Sequence, residues 1–307
     1  MMEFAQTGNL KIAYEVGGPP EGYPVFLLHG WPDSPLGWTR VAAALEQRGY
    51  RTIAPYLRGS YPTEFLSADT PRFSAAVAMA QDVMDLANLI GIERFAVVGH
   101  DWGARIAYTL AALFPERTSS IAALALAYQP RGEFHLGSFV QSKQFWYQFF
   151  QCTDAGAAAV RRNPVEFARI QWETWSPAGW FNEEDFQAVS RSFKSPDWAE
   201  ITLNGYRSRY LTSEVVDHRY DELQQRLHKT VQIQIPALMI QGASDYCDLP
   251  SGSEGQENYF LGGYTRTLLS GVGHFPHREA PGEVVNAVLQ LISEQCRPQD
   301  GKISLFP

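Results

Sequence analysis

The sequence predicts an α/β fold, an eight-stranded mostly parallel sheet flanked by helices with a helical segment inserted ahead of the last two strands. Three observations predict it. Short apolar runs alternate with stretches of helical period as far as about residue 128. That alternation stops between 129 and 228, where the chain turns aromatic, charged and helix-like, with breaks at Pro164, Pro177 and Pro196. Finally the strand pattern resumes and closes on an amphipathic helix.

In chain order, residues 3–7 and 10–17 read as an opening hairpin and 23–28 as a buried strand. Apolar positions at helical spacing predict a helix over 38–47, ended by Gly49. The theme repeats with a strand at 51–54, a helix at 75–90, a strand at 95–98, a helix at 103–114 stopped before Pro115, and a strand at 121–127. Strands at 237–241 and 265–269 follow the inserted segment, and a helix over 282–294 ends the pattern. The expected organisation is therefore a core of 1–128 and 229–307 with a helical cap of 129–228. The tail 297–307 carries little signal, and no internal repeat is present.

Composition narrows the function. With 33 acidic against 25 basic residues in 307, and no long basic run, the chain has no electrostatic basis for holding nucleic acid or an anionic membrane. No stretch approaches the roughly 20 apolar residues of a membrane span, and the first residues lack the pattern of a signal peptide. A cytoplasmic protein, monomer or homodimer, acting on a small apolar molecule is expected. Cys152, Cys247 and Cys296 are widely spaced and suggest neither a disulfide framework nor a zinc site. No metal or organic cofactor is implied.

The strongest chemical signal is Gly99-His100-Asp101-Trp102-Gly103, set between an apolar strand and a helix. A turn this tight needs small residues on both sides of a nucleophile whose own backbone is strained. With Asp at its centre the chemistry is specific. A carboxylate can attack an sp³ carbon and leave an alkyl ester, whose carbonyl water can then hydrolyse. A serine attacking the same carbon would leave an ether. The helix start beyond Asp101 also favours its charged form.

On these residues the chain resembles the epoxide hydrolase and haloalkane dehalogenase branch of the α/β-hydrolase superfamily, and the resemblance covers nearly the whole chain. It implies the α/β-hydrolase fold with Asp101 as nucleophile. It also implies that the turn Leu27-Leu28-His29-Gly30-Trp31-Pro32 supplies one oxyanion N–H from Trp31 and that Trp102 supplies the other. His29 is expected to orient that loop. The family's order of nucleophile, acid and histidine assigns the base to His274 in Gly273-His274-Phe275-Pro276. His277 falls off the motif and is expected at the solvated surface. Gly242-Ala243-Ser244-Asp245 matches the family's spacing for the orienting acid, with Asp248 as the alternative.

Leaving-group chemistry separates the branches. A halide leaves as a stable anion and needs only N–H donors, whereas an epoxide oxygen leaves as a basic alkoxide and needs an acid. Thr202-Leu203-Asn204-Gly205-Tyr206-Arg207 and Phe145-Trp146-Tyr147-Gln148-Phe149-Phe150-Gln151 resemble the two cap segments that carry ring-opening tyrosines, which implies Tyr206 first and Tyr147 second. Trp146, Phe149 and Phe275 are expected to line the pocket. The alternative, a haloalkane or haloacetate dehalogenase, would use Trp102 and Trp146 as halide donors, or Arg105 on a carboxylate. Against it, Trp31 stands where many haloalkane dehalogenases place a halide-binding Asn, and Arg105 is expected in a structural ion pair or hydrogen bond. A non-catalytic binding protein of the same fold is the remaining class. The run Tyr56-Leu57-Arg58-Gly59 departs from the family in lacking an aspartate before its arginine.

Overall fold

The computed structural model describes residues 1–293. Cys296, the final residue of the helix expected to reach Glu294, and the tail 297–307 lie outside the described residues. The strands are β1 (Met2–Gln6), β2 (Leu10–Gly17), β3 (Pro24–Leu28), β4 (Arg51–Pro55), β5 (Glu64–Phe65), β6 (Phe95–His100), β7 (Thr118–Leu124), β8 (Ala237–Gly242) and β9 (Tyr264–Leu269). They form one sheet in the order β1-β2-β4-β3-β6-β7-β8-β9, with the two-residue β5 as a ninth strand on β2. From β4 to β9 every pairing is parallel, and β1, β2 and β5 add antiparallel edges.

The chain runs outward from β3 to β4 and returns on the other side of β3 as β6. Such a reversal of strand order opens a crevice at the carboxyl ends of the two central strands. Leu28 pairs with Gly99 across it, so the residues following β3 and β6 are held side by side.

Alternation along the strands sorts the core into two faces. Val25 and Leu27 pack with α1 (Thr39–Glu46) and with a helix near the end of the described chain, Pro281–Ser293. Phe26 and Leu28 face α2 (Ala76–Leu89) and α3 (Trp102–Leu113). Gly49 takes a φ of 86° just past α1, a conformation that ends a helix with little strain only at glycine.

One strand lies three residues earlier than the sequence predicts. The strand expected over 121–127 is β7, and it stops at Leu124 because Ala125 takes a φ of 59° and turns the chain out of the sheet. Leu126 and Tyr128 are apolar because they are buried beyond the strand.

Between β7 and β8 the named elements are helical: α4 (Phe139–Gln144), α5 (Trp146–Gln151), α6 (Asp154–Arg162), α7 (Pro164–Thr174), α8 (Glu183–Ser190), α9 (Pro196–Arg207) and α10 (Asp221–Lys229), with short 3-10 turns. Pro164 and Pro196 each occupy the first turn of a helix, where the missing N–H costs nothing. After β9 come α11 (Pro276–Glu279) and α12 (Pro281–Ser293). No helix among the described residues is long and apolar enough to cross a membrane.

Candidate active site

Asp101 sits at the elbow between β6 and α3 with a φ of 50° and a ψ of −111°, a conformation rarely adopted by a residue with a side chain. The flanking glycines make the turn possible. A Cβ on Gly99 would lie 2.1 Å from Gly103 O, and one on Gly103 would lie 2.0 Å from Leu28 O. The buried Asp101 carboxylate accepts the backbone N–H of Trp31 on Oδ1 at 2.8 Å. Trp102, whose N–H opens α3, makes no hydrogen bond to that carboxylate among the described residues.

The residues after β8 and β9 meet beside it. His274 Nδ1 lies 2.9 Å from Asp245 Oδ2 and 3.1 Å from Oδ1, while His274 Nε2 lies 3.8 Å from Asp101 Oδ2. Asp245 also accepts from Gln241 Nε2 and from the N–H groups of Cys247 and Asp248; burial raises its carboxyl above the usual carboxylate range, and the His274 charge and these donors offset only part of that. Asp248 therefore reaches the imidazole's partner through its backbone, and its carboxyl faces the cavity with Asp101. Burial, followed by the charge of Asp245, pushes that Asp248 carboxyl up to about 7. Burial would lower the basicity of His274, but the charges of Asp245 and Asp101 outweigh it and hold the imidazole at about 10.

The inserted helices close the site. Trp31 packs against both tyrosines, stacked on Tyr147 at 5.6 Å between ring centres and edge-on to Tyr206 at 5.1 Å, and the two tyrosine rings also meet edge-on at 5.2 Å. Its indole N–H is fixed by Thr202 Oγ1 at 2.9 Å. Both phenols are buried, and burial raises them well above the ordinary tyrosine range, so they remain protonated donors. Tyr206 OH has no hydrogen-bond partner, whereas Tyr147 OH accepts from Gln148 Nε2 at 3.0 Å and lies 3.7 Å from Cys247 Sγ. With Asp101 and Arg105 they line a cavity of about 20 Å³, room for about one water. A larger groove of about 690 Å³, lined by Tyr61, Glu64, Arg191 and Lys194, contains none of these residues.

Five expectations need correction. Phe149 is 38 % exposed and packs on Tyr210 at the outer face of α5, and Trp146 is 41 % exposed. Residues one and two positions from the inward-facing Tyr147 point away from it on a helix, so neither lines the cavity. Phe275 is fully buried behind His274 and His100 and supports the imidazole without reaching the cavity. His277 is fully buried, not at the solvated surface, with Nε2 3.1 Å from Asp33 Oδ2. Burial, only partly offset by Asp33, pulls it down to about 4. Arg105 forms neither an ion pair nor a side-chain hydrogen bond among the described residues, and its Nε is buried without a partner.

Other contributors carried no motif. Ser176, in the inserted segment, accepts the N–H of His274 on Oγ at 2.8 Å and donates to Glu279 Oε1 at 2.8 Å. Glu279 in turn accepts the N–H groups of Gly273 and Phe275. His29 accepts the N–H of Leu57 on Nε2 at 3.1 Å, so Nδ1 carries the proton it directs to Gly30 O. Arg58, without a preceding aspartate, pairs through two bonds of 2.7 Å with Asp82 on α2.

Asp33, His100 and His277 offer metal-ligand atoms within 4.8 Å of one another. Asp33 already takes two bonds from Arg278, and His100 Nε2 lies 2.7 Å from His274 O. A cation there would face a guanidinium already paired with its carboxylate, so the cluster fits a structural network better than a metal site.

A strained, buried aspartate just after the third parallel strand from the antiparallel edge, with an aspartate and a histidine after later strands set beside it, defines a class. The chain belongs to the α/β hydrolase fold family, which matches residues 23–281. It is 36 % identical to a Klebsiella pneumoniae protein provisionally described as an epoxide hydrolase, whose crystal structure superposes with a TM-score of 0.87 over 94 % of this chain and 96 % of that one. Among curated relatives it is 25 % identical to epoxide hydrolase A of Mycobacterium tuberculosis, over 94 % of this chain and 95 % of that protein. It is 26 % identical to epoxide hydrolase 3 of Siraitia grosvenorii, over 91 % and 93 %.

Proposed function

We propose that this protein is an epoxide hydrolase that converts an epoxide to a vicinal diol through an ester on Asp101. The observation that carries the reading is the buried, unpartnered Tyr206 hydroxyl in the same small cavity as the Asp101 carboxylate. Asp101 Oδ2, the oxygen not held by Trp31, attacks a ring carbon and the C–O bond of the ring breaks. The ring oxygen takes a proton from Tyr206, assisted by Tyr147.

Ester formation removes the charge of Asp101. One of the two carboxylates that held the proton on His274 is then gone, and that proton returns to the Tyr206 phenolate. The neutral imidazole, steadied by Asp245, takes a proton from water, whose oxygen attacks the Asp101 carbonyl carbon. Trp31 N–H stabilises the oxyanion on Oδ1, joined by Trp102 N–H if the turn tightens around it. Collapse breaks the bond from that carbon to Oδ2, which leaves in the diol with the remaining proton of the attacking water. Carboxylate and protonated imidazole are restored.

The helical segment 129–228 is the cap in this reading, because it brings Tyr147, Tyr206 and Ser176 to the core of 1–128 and 229–307. A dehalogenase reading keeps one observation in its favour: the buried Trp102 Nε1 has no partner and offers an N–H for halide. Turnover of styrene oxide, 1-bromobutane and fluoroacetate, read as diol, bromide and fluoride, separates the two. Diol formation that Asp101→Asn abolishes supports the epoxide reading, and halide release without diol overturns it. Silence on all three would favour a binding protein.

A further inference from the structure

Four arginines that pack inward divide into two kinds, Arg58 being buried and Arg278, Arg105 and Arg209 part-buried. Arg58 and Arg278 each grip a carboxylate with two bonds, Asp82 in one case and Asp33 in the other. Arg105 and Arg209, both lining the cavity that contains Asp101, grip none. Arg105 has its Nε buried without a partner, and burial together with the neighbouring charge of Arg209 pulls its guanidinium down to about 10. Arg209 donates one bond, to Gln148 Oε1 at 3.0 Å, and otherwise lies over the rings of Tyr206 and Phe134 at 4.9 and 5.0 Å. A buried guanidinium N–H without an acceptor is costly, and Arg105 Nε is one, standing with Arg209 on the same cavity.

We propose that the epoxide taken by this site carries a carboxylate close to the ring, held by Arg105 and Arg209. This rests on the epoxide hydrolase reading of the same cavity. The planar fork of a guanidinium matches a carboxylate's two oxygens. One negative charge is what the cavity admits, because Asp101 and the Asp248 carboxyl stand in its wall and a dianion would meet their repulsion. The same two arginines offset the repulsion between an anionic substrate and the anionic nucleophile. Arg105 stands four residues beyond Asp101 and lines the same cavity, so the carboxylate belongs close to the epoxide ring. The aromatic walls provided by Phe134, Phe145 and Tyr147 suit an apolar remainder.

The test compares trans-3-phenylglycidate with its methyl ester, and uses styrene oxide as a neutral reference. Wild-type protein should favour the acid over the ester by at least about tenfold in kcat/KM. Arg105→Met and Arg209→Met should each move that ratio toward one, and Arg105→Lys should retain part of it. Binding of both compounds to Asp101→Asn, followed by calorimetry, reads the same preference without chemistry. Styrene oxide turnover with no preference for the acid, or a preference that survives both methionine variants, overturns the carboxylate proposal and leaves the hydrolase reading intact. Preferential binding of the acid, lost in the arginine variants and unaccompanied by any diol, supports the anion site and overturns the hydrolase reading. Neither diol nor binding overturns both.

Discussion

His274 Nε2 stands 3.8 Å from Asp101 Oδ2, too far for a hydrogen bond, and has no partner of its own, although the ring is held from behind by Asp245. An imidazole so placed does not attack; it has room to direct a water. His274→Gln should therefore form the Asp101 ester and fail to release it. Intact-protein mass spectrometry after mixing with epoxide should show one added substrate mass, with diol release slowed about 10²–10⁴-fold. A variant that turns over at the wild-type rate with no adduct would remove His274 from the mechanism.

The oxygen that enters the diol should come from the enzyme. In a single turnover in water enriched in heavy oxygen, the diol should carry ordinary oxygen and the label should appear in the Asp101 carboxylate, since water attacks the carbonyl carbon. Labelled diol in the first turnover would mean direct attack by water.

The two phenols should differ. Tyr206 OH is unpartnered, while Tyr147 OH is engaged by Gln148. Tyr206→Phe should lower kcat about 10²-fold or more, and Tyr147→Phe less. Tyr206→Phe removes an unpartnered oxygen and should change thermal unfolding little, whereas Tyr147→Phe leaves the buried Gln148 Nε2 without its acceptor, at a cost of about 1–3 kcal/mol. Equal losses would argue for shared protonation, and no loss from either would sink the acid assignment.

Alkaline pH should weaken the fold through the same histidine. His274 is held at about 10 in the folded chain against 6.5 for an ordinary imidazole. A raised folded value means that the stabilisation is fully present below pH 6.5 and is lost as pH rises through about 10. On the order of a few kcal/mol is at stake. Urea unfolding across that range should show stability falling in wild type and falling less in Asp101→Asn, which lacks one of the two charges. Parallel slopes would locate the loss in another group.

Ser176→Ala should loosen the histidine loop. It leaves the buried N–H of His274 without its acceptor and frees Glu279 on one side, at a cost of about 1–3 kcal/mol. Activity should fall more than the lost stability explains at temperatures where the fold is intact. An active variant that is merely less stable would confine Ser176 to a structural role.

Asp101, His274 and Asp245 were legible as candidates because each is bound to a tight turn after a strand. Gly99 and Gly103 have no room for a Cβ, and that steric demand is written in the sequence around Asp101. Strands were legible from their apolar runs, though the run at 121–127 misplaced β7, since Leu126 and Tyr128 are buried without being paired. The aromatics of α5 were read by type alone. Helical period carries Tyr147 inward and Phe149 outward, and only the docked orientation of α5 reveals which is which.

Sequence by itself determined the order of the elements, the tight turns and the kinds of group they present, because these depend on neighbours a few residues away. Tertiary structure alone decided the partners. His277 is buried because Asp33, 244 residues distant, lies against it, and the His274 loop is tied by Ser176 at a separation of 98. Arg105 and Arg209 face one cavity only because α3 and the end of α9 are packed together. Which charges are paired, and which are left facing an empty space, depends on distances through space that no local pattern encodes.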